Sequence, residues 1–136
     1  MNKTDEIFRD DCPYNNYSQT PAKRLLFVCS VGMLRSPTAQ IVASQMGYNA
    51  RACGSSINIA LIPLSVNLIN WAHVIIFLNQ DNYLEALKHF KISEFDEDIR
   101  AKSVVWGVGD HYNWGDSVLY GIIRHKLIEM QEKDII

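Results

Sequence analysis

The stretch LLFVCSVGMLRSPTAQ, residues 25–40, decides how the rest of the chain is read. Its apolar run ends abruptly at Cys29, a loop with a single glycine (Gly32) follows, and Arg35, Ser36 and Pro37 open the next segment. RLLFVC (24–29) predicts a buried strand. SPTAQIVASQMG (36–47) predicts a helix with Ser36 as N-cap, Pro37 at the first helical position and Gly47 as stop. Ala39, Val42, Ala43 and Met46 line its apolar face. A cysteine and an arginine therefore stand at the two ends of one short loop, where a strand hands over to a helix.

The same alternation continues outward. YNARAC (48–53), HVIIFL (73–78) and KSVVWGV (102–108) read as further strands. PLSVNLINW (63–71) reads as a helix with Leu64, Leu68 and Trp71 on one side. QDNYLEALKHF (80–90) reads as a helix presenting Tyr83, Leu84 and Leu87. SVLYGIIRHKLIEM (117–130) reads as a final helix with Leu119, Ile122, Ile123, Leu127 and Met130 inward. Asp96, Glu97 and Asp98 read as a solvated loop before the fourth strand. The expected fold is α/β: one domain with a four-stranded parallel sheet, helices on both faces and an anion-binding loop after the first strand. The polar segment 1–23 reads as a flexible extension, and 24–136 as the folded body. Ligands of such sheets bind at the carboxyl ends of the strands, so Cys29 and the loop after Val108 should share one rim.

The totals narrow the partners. A chain of 136 residues is one domain by size, and it buries about two-thirds of its unfolded surface. Thirteen basic against fifteen acidic residues give a net charge of −2, which offers no reason to expect nucleic acid or an anionic membrane. Three cysteines, Cys12, Cys29 and Cys53, lack metal-type spacing and are an odd number for a disulfide scaffold; a reduced, cytoplasmic protein is expected. The N-terminal segment lacks the basic start and apolar stretch of a signal peptide, and no apolar run approaches the roughly 20 residues that span a bilayer.

C-x5-R followed at once by serine describes a chemistry. Residues Ser30, Val31, Gly32, Met33, Leu34 and Arg35 can curl so that their backbone N–H groups make a nest for an anion. The helix that follows adds its positive end. Arg35 brings a planar fork matched to two phosphate oxygens. The same positive influences favour a thiolate at Cys29, whose ordinary pKa is about 8.5, and a Ser36 hydroxyl hydrogen bond favours it further. The result is a nucleophile beneath a tetrahedral oxyanion. The competing reading of Cys29 is a small buried hydrophobe at a strand end.

With these residues in view, the sequence resembles the low-molecular-weight protein tyrosine phosphatases. The likeness runs from LLFVCSVGMLRSPTAQ through ARACGSS and WAHVIIFLN to VGDHYNWGDSVL, covering about residues 24–130. The resemblance implies a two-step hydrolysis of a phosphotyrosine protein or small aryl phosphate, without metal or cofactor. Cys29 would attack phosphorus, Arg35 and the loop amides would hold the equatorial oxygens, and Asp110 would serve as acid and then base, with Asp116 as the fallback. Tyr112 and Trp114 stand where the family has aromatic walls, although ordinary packing explains aromatics there equally well.

Several positions depart from the family's pattern. Val31-Gly32 replaces Gly-Asn, so an asparagine that braces the loop is missing; glycine still admits positive φ. His111 replaces the proline after the acid. Leu34 replaces a second loop cysteine, and Cys53 reads as a buried structural thiol. Two other readings stay open: a phosphate- or partner-binding module with weak turnover, and an arsenate reductase, which needs further thiols that residues 54–136 do not contain. His73, His89 and His125 receive no role.

Overall fold

Strand β1 (Arg24–Cys29) is buried along all but its first residue and forms the middle of the molecule. Its neighbours are β2 (Asn49–Gly54) on one side and β3 (Val74–Phe77) on the other, and β4 (Ser103–Val105) pairs with β3. All pairings are parallel, in the order β2-β1-β3-β4. The computed structural model describes residues 22–32, 35–90, 95–109, 111–112 and 116–136. The expected extension 1–23 lies almost wholly outside them.

Among the described residues five helices cover the two faces: α1 (Arg35–Gln45), α2 (Val66–Trp71), α3 (Gln80–Phe90), α4 (Phe95–Lys102) and α5 (Ser117–Glu132). Alternation along β1 sorts the core. Leu25, Phe27 and Cys29 pack with Ala39, Val42 and Ala43 of α1 and with Leu119, Ile123 and Leu127 of α5. Leu26 and Val28 pack on the opposite face with Ile69 of α2, Ala86 and Phe90 of α3, and Ile99 of α4. None of the helices in the described residues is long and apolar enough to cross a membrane.

The strands follow the sequence expectation closely. Past the formal end of β4, Trp106 N–H donates to Phe77 O at 2.8 Å and Val108 N–H to Leu78 O at 2.8 Å, so pairing continues to the rim. The helices differ in four places. Residues 95–102 form a helix where a solvated loop was expected; Ile99 is fully buried, but the run of charges around it gives periodicity little to register. Helix α2 begins at Val66 rather than at Pro63, because Pro63 bridges Gly54 and Leu64 N–H donates to Gly54 O at 2.9 Å. Ser65 then caps it, accepting from Leu68 N–H. Helix α1 starts at Arg35, and Ser36 is no N-cap, since its side chain turns inward to other partners. In α3, Leu84 is 52% exposed while Asn82 is buried, so the inward face runs Asn82, Ala86, Leu87 and Phe90.

Candidate active site

The sheet's order reverses beside β1, whose two neighbours lead the chain in opposite directions, and open α/β sheets bind ligands outside that point. Cys29 ends β1 there, 3% exposed. Gly32 N–H donates to its Sγ at 3.3 Å, and Ser36 Oγ lies 3.1 Å from the same sulfur. Ser36 Oγ also reaches Cys53 O at 3.3 Å. The serine has one proton for two acceptors. With a thiol at Cys29 it can donate to the carbonyl and accept from sulfur; with a thiolate its proton turns to sulfur. Both donors to Sγ stabilise the charged form.

The loop holds its curve because glycine stands where backbone conformation and space both require it. Gly32 has φ +77°, which L side chains rarely adopt, and a Cβ there would lie 2.9 Å from the Cys53 carbonyl carbon. Conformation alone would admit an asparagine; the β2 wall does not. Gly54 faces the loop from the other side, where a Cβ would meet Ser30 O and Val31 C at 2.6 Å. Ser55 N–H donates to Cys29 O at 2.7 Å and Ser56 N–H to Ser30 O at 2.8 Å, which stitches the loop to the segment after β2.

Arg35, 3% exposed, begins α1 at the far end of the loop. Its Nη1 donates to Val108 O at 2.8 Å, tying the loop to the segment after β4. A guanidinium has five N–H donors, and among the described residues this one acceptor leaves most of the fork for an oxyanion. Cys29, Arg35 and Ser36 are thus brought together, with Val31 and Gly32 along the same loop. Met33, Leu34, Asp110 and Trp114 lie outside the described residues. Tyr112 is half-buried against the apolar cluster that contains Cys29, its ring 4.1 Å from that of His111. Asp116 caps α5, its carboxylate accepting from Val118 N–H at 2.8 Å.

Cys53 is fully buried and belongs to the opposite face of the sheet from Cys29. Burial, with Cys29 as a second cause, pushes its thiol far above the ordinary range, so it stays neutral. A polar chain that the sequence did not disclose runs beside the loop. Asn82 Nδ2 of α3 donates to Ser30 Oγ at 3.1 Å and Ser55 Oγ at 3.4 Å, and Ser55 Oγ donates to Glu85 Oε1 at 2.7 Å. The available signal was spacing: Asn82 shares the i, i+4, i+8 face with Ala86 and Phe90. Next to this chain, Ile59 (72% exposed) and Leu61 (76%) give the rim an apolar stretch.

No family model matches the sequence, and no curated protein matches it. Solved structures do. The YwlE arginine phosphatase from Geobacillus stearothermophilus aligns with 82% of this chain and 94% of its own at 16% identity, TM-score 0.60. The low-molecular-weight protein tyrosine phosphatase from Streptococcus pyogenes aligns over 82% and 92% at 19% identity, TM-score 0.60. The tyrosine phosphatase Wzb from Escherichia coli K30, in complex with phosphate, aligns over 82% and 98% at 12% identity, TM-score 0.59. The chain has the fold of the low-molecular-weight protein tyrosine phosphatases.

Proposed function

We propose that this protein hydrolyses phosphomonoesters through a cysteinyl-phosphate, with a phosphotyrosine protein or similar aryl phosphate as substrate. One observation carries the reading: Cys29 Sγ, with Gly32 N–H and the Ser36 hydroxyl directed at it, stands at the base of a loop whose other end is the buried Arg35. The Cys29 thiolate attacks phosphorus while the bond to the leaving oxygen breaks, and Asp110 gives that oxygen its proton. Water then yields a proton to the Asp110 carboxylate and attacks the cysteinyl-phosphate, which releases inorganic phosphate and restores the thiolate. Arg35 and the loop amides hold the equatorial oxygens in both steps. No metal or cofactor is needed. Reduced thiols fit a cytoplasmic setting.

The similar structures include an arginine phosphatase and tyrosine phosphatases. The half-buried Tyr112 beside Cys29's cluster and the apolar rim at Ile59 and Leu61 favour the aryl ester. The test is hydrolysis of p-nitrophenyl phosphate before and after stoichiometric alkylation, followed by phosphotyrosine and phosphoarginine peptides. Alkylation at Cys29 should abolish turnover, and inorganic phosphate should protect against it. Full activity with Cys29 alkylated would refute the mechanism, and preference for phosphoarginine would overturn the substrate class.

A further inference from the structure

The chain from Glu85 to Ser30 has a fixed proton direction. Glu85 accepts from Ser55 at Oε1 and from Ser56 at both carboxylate oxygens. The Ser55 proton is therefore committed to Glu85, and the Ser55 oxygen can only accept from Asn82. One Asn82 Nδ2 proton goes there and the other to Ser30 Oγ. Asn82 is 1% exposed and its Oδ1 has no hydrogen-bond partner among the described residues. Turning the amide over would set Oδ1 against the Ser55 oxygen, whose proton is already spent on Glu85, and would lose that hydrogen bond. The protein keeps an unpaired buried carbonyl rather than reverse the amide. At the end of the chain, Ser30 Oγ accepts, the Ser30 carbonyl is taken by Ser56 N–H, and among the described residues no acceptor takes the Ser30 hydroxyl proton.

We propose that Asn82 is a positioning residue: it anchors Ser30 next to the nucleophile and turns the Ser30 hydroxyl into a ready donor for the substrate's phosphoryl group. The inference rests on the phosphatase reading and deepens it. It explains how the loop is braced without the asparagine its sequence lacks, since the brace comes from α3 instead. Glu85 is the charged end of the chain and Ser55 its middle, so α3 and the segment after β2 both share in it.

A double-mutant cycle tests the coupling, read by kcat/KM for p-nitrophenyl phosphate and by the affinity for inorganic phosphate. Ser30→Ala and Asn82→Ala should each cost about tenfold, and the double variant should be no worse than either alone. Asn82→Asp keeps the shape but accepts where the amide donated, so it should draw the Ser30 proton away and cost about 10²-fold. That loss should shrink to the Ser30→Ala level when Ser30 is already alanine. Effects of Asn82→Ala that persist undiminished on the Ser30→Ala background would overturn the proposal, as would normal kinetics and phosphate affinity in both Asn82 variants. If the native protein does not hydrolyse the ester, the phosphatase reading fails, and the cycle in phosphate affinity still decides the coupling.

Discussion

Replacing Gly54 by alanine perturbs the loop from outside it, at a residue that has no part in the chemistry itself. The added Cβ would lie 2.6 Å from Ser30 O, 2.6 Å from Val31 C and 2.7 Å from Ala60 Cβ. Two of these atoms are backbone of the loop after β1 and none is the end of a flexible side chain. Ordinary contact begins near 3.4 Å, so relief requires the loop to move about 0.8 Å away from β2. Overpacking of this kind costs about 1–3 kcal/mol. For a chain of this length that is a fall of about 3–10 °C in Tm. The catalytic cost should be larger, because a displacement near 1 Å of a reacting group is worth about 10²-fold. The assay is kcat/KM for p-nitrophenyl phosphate beside thermal unfolding. Gly121→Ala is the control: nothing lies within 4 Å of its Cβ position in α5, so activity should hold and stability should rise by about 0.5–1 kcal/mol. If Gly54→Ala keeps kcat/KM within threefold while losing stability as expected, β2 does not position the loop and the reasoning is wrong.

Cys29→Ser should abolish turnover yet retain phosphate binding, whereas Arg35→Lys should lose both, because an ammonium cannot reproduce the planar fork; hydrolysis by the serine variant or normal kinetics in the lysine variant would contradict this. Asp110→Asn should slow hydrolysis of phosphotyrosine by about 10²-fold or more and matter much less for very acidic leaving phenols. Asp116→Asn should show no such leaving-group dependence, since asparagine caps α5 as well as aspartate does; the reverse pattern would move the acid to Asp116. His73 accepts Arg24 N–H at Nδ1, 2.9 Å away, and desolvation followed by the charges of Arg24, Lys23 and Lys102 lowers its pKa. The unfolded chain then holds the proton more tightly, so this contribution is complete above the ordinary value near 6.5 and is lost as pH falls through the lower folded value. Denaturant unfolding of His73→Gln should show a shallower loss of stability below pH 6.5 than the native chain, and equal slopes would refute the assignment.

The fold was legible because its central strands are uniformly apolar. RLLFVC and HVIIFL carry no alternation to confuse, and a strand buried on both faces reads as a continuous run. Helix α4 was not legible for the converse reason. FDEDIRAK holds itself to the body through Ile99 and through Lys102 Nζ, which donates to Ile69 O at 2.7 Å, and neither leaves a periodic trace. The start of α1 was misread because Ser36 and Pro37 make a convincing cap on paper. The serine is worth more to the structure turned toward sulfur than toward a backbone N–H, and that choice depends on Cys29 and Cys53 being nearby in space.

The candidate site divides the same way. Cys29, Gly32, Arg35 and Ser36 are close in sequence, so one stretch discloses them. Their supports are not: Ser55 and Glu85 follow β2 and lie in α3, and Asn82 sits amid an amphipathic pattern that favours reading Tyr83 and Leu84 as the inward pair. Helical geometry cannot bury residues 82, 86 and 90 and also present 84, so the polar pull on Asn82 sets the rotation of α3 and leaves Leu84 in solvent. An asparagine on the apolar face of a helix is therefore the sequence's own sign of a polar partner beyond the helix. Here that partner is Ser30, in the loop after β1. The hydrogen bond that reaches Ser30 comes from a side chain 52 residues later whose only fault, read along the chain, is that it interrupts a stripe.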